Sequence, residues 1–149
     1  MDFVNHTTRR HATSEDYQFL WDLYLATMRD YVDQTWGWND EFQKDEFAAD
    51  FDPSTEEILE IDEIPVGVIS IVRSSDCHFL RKICVATQFQ GCGIGTRLIQ
   101  ELVSQANDSG VCAQLQVLKV NPARALYERL GFRVFSQTDD HWLMTTEED

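Results

Sequence analysis

The segment Gln90-Gly91-Cys92-Gly93-Ile94-Gly95 constrains this chain more than any other. It lies between an apolar, strand-like run that ends at Val85 and an amphipathic, helix-like run that starts near Ile94. Glycine has no Cβ, so the backbone there can turn tightly and come close to a ligand. The start of the next helix offers N–H groups without intrahelical partners and a partial positive charge. Strand, glycine turn and helix N-terminus together form a cradle for a phosphate or a diphosphate.

The rest of the chain reads as alternating elements around that cradle. Thr7 to Ala12 is a first short strand, and Thr13-Ser14-Glu15-Asp16 opens a helix with a hydroxyl cap and early acids. Phe19, Leu20, Leu23, Tyr24 and Thr27 recur at helical spacing and carry that helix to about Asp33, before Trp36-Gly37-Trp38 breaks it. Asn39 caps a second helix with Phe42, Phe47 and Ala48, which ends before Asp52-Pro53. Ile58, Leu59 and Ile61, then Val66 to Val72, then Cys77 to Val85 form a meander of strands. Its turns fall at Glu63-Ile64-Pro65 and Ser74-Ser75-Asp76. Ile94, Leu98, Ile99, Leu102, Val103 and Ala106 mark one face of a helix that Asn107-Asp108-Ser109-Gly110 ends. Ala113 to Val120 is a strand, and Asn121-Pro122 opens a helix with Ala125, Leu126 and Leu130 inward and Gly131 as its stop. Phe132 to Phe135 and His141 to Thr145 form a closing hairpin around Asp139-Asp140, ahead of a frayed tail, Glu147-Glu148-Asp149. The order β-α-α-β-β-β-α-β-α-β-β predicts an α/β fold: a mixed sheet with helices on both faces, in one domain with its core over about 7–145.

Charge narrows the partners. Twenty-six acidic residues against 12 basic ones, a net of -14, argue against nucleic-acid binding, which depends on Lys and Arg at the phosphates. The acids concentrate between Asp30 and Glu63, and their field favours a cationic partner. No apolar run approaches the roughly 20 residues of a membrane-spanning helix, so no membrane partner is expected. The polar start Met1-Asp2-Phe3-Val4-Asn5-His6 does not read as a signal peptide, and a cytoplasmic location follows. Cys77, Cys84, Cys92 and Cys112 include no CxxC pair and match no zinc spacing, so neither a metal nor a disulfide is expected.

Three kinds of cradle compete for the glycine segment. A dinucleotide fingerprint counted from Gly91 would need its last glycine at Thr96, and a P-loop would need lysine where Thr96 follows Gly95. The third pattern, Q-x-x-G-x-G over Gln90 to Gly95, resembles the acetyl-CoA signature of the GNAT N-acetyltransferase superfamily. A second block, Asn121-Pro122-Ala123-Arg124-Ala125-Leu126-Tyr127-Glu128-Arg129-Leu130-Gly131-Phe132, resembles that family's other recurrent segment. The resemblance extends from about Thr7 to Thr145. Thr27-Met28-Arg29-Asp30-Tyr31 and Trp36-Gly37-Trp38 are similar to one bacterial subgroup.

The resemblance implies a mostly antiparallel sheet and transfer of an acetyl group from acetyl-CoA to a primary amine, directly, in a ternary complex. It implies that the pantetheine arm pairs with the backbone of Ile83, Cys84 and Val85, where two strands splay. It assigns the diphosphate to N–H groups over Gln90, Gly91, Gly93, Ile94, Gly95 and Thr96, with Arg97 and Arg124 near the phosphates. Asn121 contacts the pantetheine, Tyr127 donates a proton to the leaving thiolate, and an N–H near Val85 stabilises the oxyanion. Trp36 and Trp38, with Tyr31, Asp33 and His141, border the acceptor site. Each residue also has a plainer reading: core strand, glycine turn, helix cap, packed aromatic, or a tryptophan plug between helices. Where many relatives carry a glutamate base, this chain has Lys82; His78, His141, Glu41 and a water chain stay open as alternatives. The acceptor is a polyamine-like or amino-acid-derived amine, or a peptide amine, and a homodimer stays open. The competing reading is a non-catalytic acyl-CoA-binding sensor or interaction domain.

Overall fold

A computed structural model describes residues 2–148; Met1 and Asp149, the last residue of the expected frayed tail, lie outside it. Strand β1 (Thr7–His11) leads through a 3₁₀ turn at Ser14–Asp16 into helix α1 (Tyr17–Trp36). Thr13 and Asp16 cap that start reciprocally: Thr13 Oγ1 accepts from the Glu15 N–H and Asp16 Oδ2 from the Thr13 N–H. Both arms of the Arg10 guanidinium also reach the Asp16 carboxylate, at 2.8 and 2.9 Å. Helix α1 runs three residues past the expected Asp33 and stops where Gly37 takes φ +81°. Trp36 therefore stands in the last helical turn, not in a loop. Helix α2 (Asp40–Asp50) begins as its sequence demands, with Asn39 Oδ1 accepting from the Phe42 N–H at 2.9 Å.

Strands β2 (Glu56–Ile61), β3 (Ile64–Arg73) and β4 (Cys77–Val85) form the meander. Asp62 and Glu63, both at positive φ, make the first turn, so it precedes the expected Glu63-Ile64-Pro65, and Ile64 and Pro65 already belong to β3. Helix α3 (Ile94–Asp108) buries Ile94, Leu98, Ile99, Leu102 and Ala106 on one stripe. Strand β5 (Cys112–Leu118) ends before the expected Val120 because the Asn121 N–H turns back to the Leu118 carbonyl at 2.9 Å. In helix α4 (Ala123–Arg129) the inward position is held by Tyr127, with Ala123 and Leu130 packed beside it. Ala125 is exposed, contrary to expectation, because it lies two residues, more than half a turn, from the inward-facing Tyr127. Strands β6 (Arg133–Gln137) and β7 (His141–Thr145) form the closing hairpin.

The seven strands make one sheet in the order β1-β2-β3-β4-β5-β7-β6, antiparallel throughout except for the parallel β4–β5 pair. One face packs on α3 through Leu59, Ile69, Leu80, Ile83 and Leu115, and Tyr127 and Phe132 join that cluster. The other face packs on α1 through Ile58, Val68 and Cys84 against Leu20 and Leu23. Helices thus cover both faces, as expected. Among the described residues no helix is long and apolar enough to cross a membrane.

One irregularity matters for the site. The β3–β4 register passes from Ile71↔Leu80 to Ser70↔Lys82, so Arg81 is an extra residue, a β-bulge. Side chains alternate along a regular strand. The bulge instead turns both Arg81 and Lys82 to the α1–α2 face, where both meet Asp50 and Glu56.

Candidate active site

Strands β4 and β5 pair only from Cys77↔Cys112 to Leu80↔Leu115. Beyond that, β4 stays bonded to β3 as far as Gly67↔Val85, and β5 to β7 as far as Leu118↔His141. Each strand follows its outer neighbour, so the two part in a wedge. A cavity of about 320 Å³ opens there, lined by Lys82, Ile83 and Cys84 of β4 and Gln116–Leu118 of β5. Asn121, Tyr127 and His141 line it from the far side, and α1 contributes Tyr24, Met28 and Trp36. Sequence-predicted residues from five separate segments thus meet around one space.

The cradle stands at the end of β4. Gly91 and Gly93 take φ of +76° and +90°, the left-handed region that glycine enters without strain. Gly95 has no such need: its backbone is helical, and a Cβ there would meet nothing within 4 Å. Its missing side chain leaves open space above the first turn of α3, and no side chain caps that turn. This is room for a group bound by the N–H groups of Ile94, Gly95 and Thr96, so the residues present fit a diphosphate. The side chain of Ile94 is buried in the core, which leaves only its backbone for a ligand. Gln90 spends its side chain on the loop itself, donating from Nε2 to the Val85 carbonyl at 2.9 Å. Arg97 is tied to Glu101 and Asn5, and Arg124 to Glu128 and the Trp142 ring. Asn121 Oδ1 accepts from the Ala123 N–H at 2.9 Å, the capping role read from its position.

Burial pushes the Tyr127 phenol up to about 12, and the Cys84 thiol is likewise raised by burial. Both keep their protons at neutral pH. All four cysteines are free thiols.

On the acceptor side the two tryptophans part company. Trp36, 55% exposed, donates from Nε1 to Asp140 Oδ2 at 2.8 Å, and its ring lies 5.8 Å from that of His141. Trp38 packs among Trp21, Tyr24 and the Arg29 guanidinium, so it belongs to the plug between α1 and α2 and does not line the cavity. Asp33 Oδ1 accepts from the Trp38 N–H, and Tyr31 is half-buried outside the cavity. Of the base candidates, His78 is buried at the start of β4, its Nδ1 without a hydrogen-bond partner among the described residues, and Glu41 is exposed on α2. Neither lines the cavity; His141 does.

The sequence reading missed Glu56 and Arg81. Glu56 is wholly buried on β2, its Oε1 3.3 Å from Lys82 Nζ and its Oε2 accepting from the Asp52 N–H at 2.8 Å. Arg81 Nη1 lies 3.5 Å from Glu56 and Nη2 2.9 Å from Asp50. The two cations thereby bind the end of α2 to the sheet. A signal was present: counting by two from the inward Ile58 places Glu56 on the same core-facing side.

Residues 54–134 match the acetyltransferase (GNAT) domain family, and the chain belongs to it. That membership brings with it acyl transfer from acetyl-CoA as the class of chemistry. Over 54 residues the chain is 41% identical to the [ribosomal protein bS18]-alanine N-acetyltransferase of Haemophilus influenzae, a match spanning 36% of this chain and 37% of that relative. In structure it resembles the PaiA N-acetyltransferase of Thermoplasma acidophilum solved with coenzyme A (TM-score 0.75, 14% identity, 95% and 99% of the two chains). It also resembles a GNAT acetyltransferase of Elizabethkingia anophelis with acetyl-CoA bound (TM-score 0.65, 17% identity, 97% and 99%).

Proposed function

We propose that this protein transfers an acetyl group from acetyl-CoA directly to a primary amine, with Tyr127 at the leaving sulfur. One observation carries the reading. The glycine cradle follows directly on β4, and the splayed part of β4 lines, together with the Tyr127 phenol, a cavity that also reaches α1 and β7. In that arrangement Ile83–Val85 offer a strand edge to the pantetheine arm, and open strand edges bind extended ligands through their backbone. Gly91, Gly93, Ile94, Gly95 and Thr96 hold the diphosphate, and Asn121 flanks the arm.

The leaving thiolate, with an ordinary thiol value of about 8.5, is a weaker base than a phenolate at about 12. Outright proton transfer from Tyr127 to sulfur is uphill by roughly 5 kcal/mol. Tyr127 therefore hydrogen-bonds the departing sulfur and passes its proton on only as it receives one from the nitrogen. The Val85 N–H serves the oxyanion. Cys84 lines the same cavity, but its raised thiol is a poor nucleophile, which favours direct transfer over an acetyl-cysteine intermediate. The acceptor is a small or peptide amine entering past the paired rings of Trp36 and His141, drawn by the acidic field.

The test is incubation with acetyl-CoA and a pool of amines and peptides, with products read by mass spectrometry. Acetylated product from the wild type, with kcat lowered about 100-fold in Tyr127→Phe at unchanged acetyl-CoA affinity, supports the reading. A thermal shift with acetyl-CoA but no product from any amine supports a non-catalytic acyl-CoA sensor instead.

A further inference from the structure

Lys82 occupies the place from which many relatives supply a carboxylate, and the cavity must contain another route for the acceptor's proton if the proposed transfer is correct. An alkylammonium with a value near 10.4 is neutral in only about 4 molecules per 10,000 at pH 7. The titratable side chains lining the cavity are Tyr24, Asp50, Glu56, Arg81, Lys82, Cys84, Tyr127 and His141. Seven of the eight cannot accept a proton there. Arg81 and Lys82 are cations held by two carboxylates. Glu56 is 1% exposed, and its oxygens are taken up by Arg81, Lys82 and the Asp52 N–H. Burial opposes ionisation of Asp50, but Lys82 and Arg81 outweigh it and hold that carboxyl below its ordinary range. Burial raises Tyr24, Tyr127 and Cys84, so all three are already protonated.

His141 is different in each respect. It is half-buried at the start of β7 and faces the cavity. Among the described residues its imidazole has no hydrogen-bond or ion-pair partner, so a ring nitrogen is open to a ligand. Its ring is held beside Trp36, which the bond to Asp140 fixes in turn. Imidazole is the side chain whose ordinary titration straddles neutrality. We propose that His141 accepts the proton of the acceptor ammonium.

The step balances as follows. The ammonium gives one proton to a His141 ring nitrogen, and the freed lone pair forms the C–N bond at the thioester carbonyl. As the C–S bond breaks, Tyr127 passes its proton to the sulfur while taking the second proton of the nitrogen. The imidazolium then releases its proton to solvent. The charge next to the imidazole in the chain is Asp140, whose carboxylate accepts from Trp36 Nε1 at 2.8 Å, while the Lys119 ammonium is turned to Gln137 and the Trp142 ring. Across the cavity stand Arg81, Lys82, Asp50 and Glu56, two of each sign.

The inference rests on the acetyltransferase reading, and the experiment separates the two. Putrescine, spermidine, an alanine-starting hexapeptide and the weakly basic 2,2,2-trifluoroethylamine are offered to wild type, His141→Gln and His141→Asn, with kcat/KM measured from pH 6 to 10. With an alkylamine at pH 7, both variants are expected to lose about 100-fold, with acetyl-CoA KM and melting temperature unchanged. They then recover about tenfold per pH unit as the free amine appears, and with trifluoroethylamine, already neutral at pH 7, the loss disappears. A loss below threefold, or one equally large at every pH and with every amine, overturns the role of His141 while leaving the transferase intact. Absence of transfer by the wild type overturns both.

Discussion

Replacing Glu56 by glutamine isolates what holds α2 over the cavity. The carboxylate is wholly buried between Arg81 and Lys82, each about one-fifth exposed. Without its charge the two cations share only Asp50, whose side chain is 56% exposed. Removing one partner of a buried pair costs about 3–5 kcal/mol, because the other charge is left uncompensated. The contacts to Arg81 and Lys82 are 3.5 and 3.3 Å, longer than good charge-assisted bonds, and the glutamine oxygen still accepts the Asp52 N–H. The lower end applies, about 3 kcal/mol, or roughly 6–12 °C in melting temperature for a domain of this size. Asp50→Asn removes the same kind of charge from the solvent side and costs under about 1 kcal/mol. Urea unfolding reads both as midpoint changes at constant slope. A Glu56→Gln loss below about 1 kcal/mol, or an equal loss in Asp50→Asn, refutes the argument that burial sets the strength of this clamp. The same variant carries a functional expectation: the loosened end of α2 raises KM for the amine and leaves KM for acetyl-CoA unchanged.

Two further outcomes follow from other parts of the chain. Gly95→Ala is expected to leave stability unchanged or raise it by up to about 1 kcal/mol, since the position is helical and empty, while acetyl-CoA affinity measured by calorimetry falls at least tenfold. Equal affinity would show that the open space is not the diphosphate site. Asp16 has its carboxyl held below its ordinary range chiefly by hydrogen bonds from Arg10. A depressed folded-state value stabilises above the unfolded value and is lost as pH falls through the folded one. Asp16→Asn is therefore expected to cost about 1–2 kcal/mol at pH 7, with the gap to wild type closing below about pH 3.8; a gap that persists in acid would mean that the charge is not what Asp16 contributes.

The donor half of the site was legible because its signals are local. Glycines at fixed offsets, an apolar strand before them and an amphipathic helix after them specify the cradle, and Asn121 caps its helix wherever the rest of the chain goes. The acceptor half is tertiary. Trp36 and Trp38 are two residues apart in sequence, yet the extra helical turn sends one to His141 and the other into the plug around Trp21. His78, His141 and Glu41 all stood open as bases in sequence, with only His141 also placed on the acceptor side, and it alone of the three lines the cavity. The ion clamp was hidden because strict alternation puts Arg81 and Lys82 on opposite faces, and no propensity marks a bulge between an arginine and its neighbours.

That bulge makes the site a matter of parity as well as chemistry. Were Arg81 to take the pairing position opposite Ser70, with no bulge, regular alternation would exchange inside for outside along the remainder of β4. Lys82 would then project into the α3 cluster of Leu59, Ile69 and Ile99, and Ile83 would meet the Glu56 carboxylate. No side chain would have changed, yet the clamp and the wedge wall would both be inverted. The last four residues of β4 are thus addressed by the register shift before them, and that bulge shapes the cavity as much as any side chain that lines it.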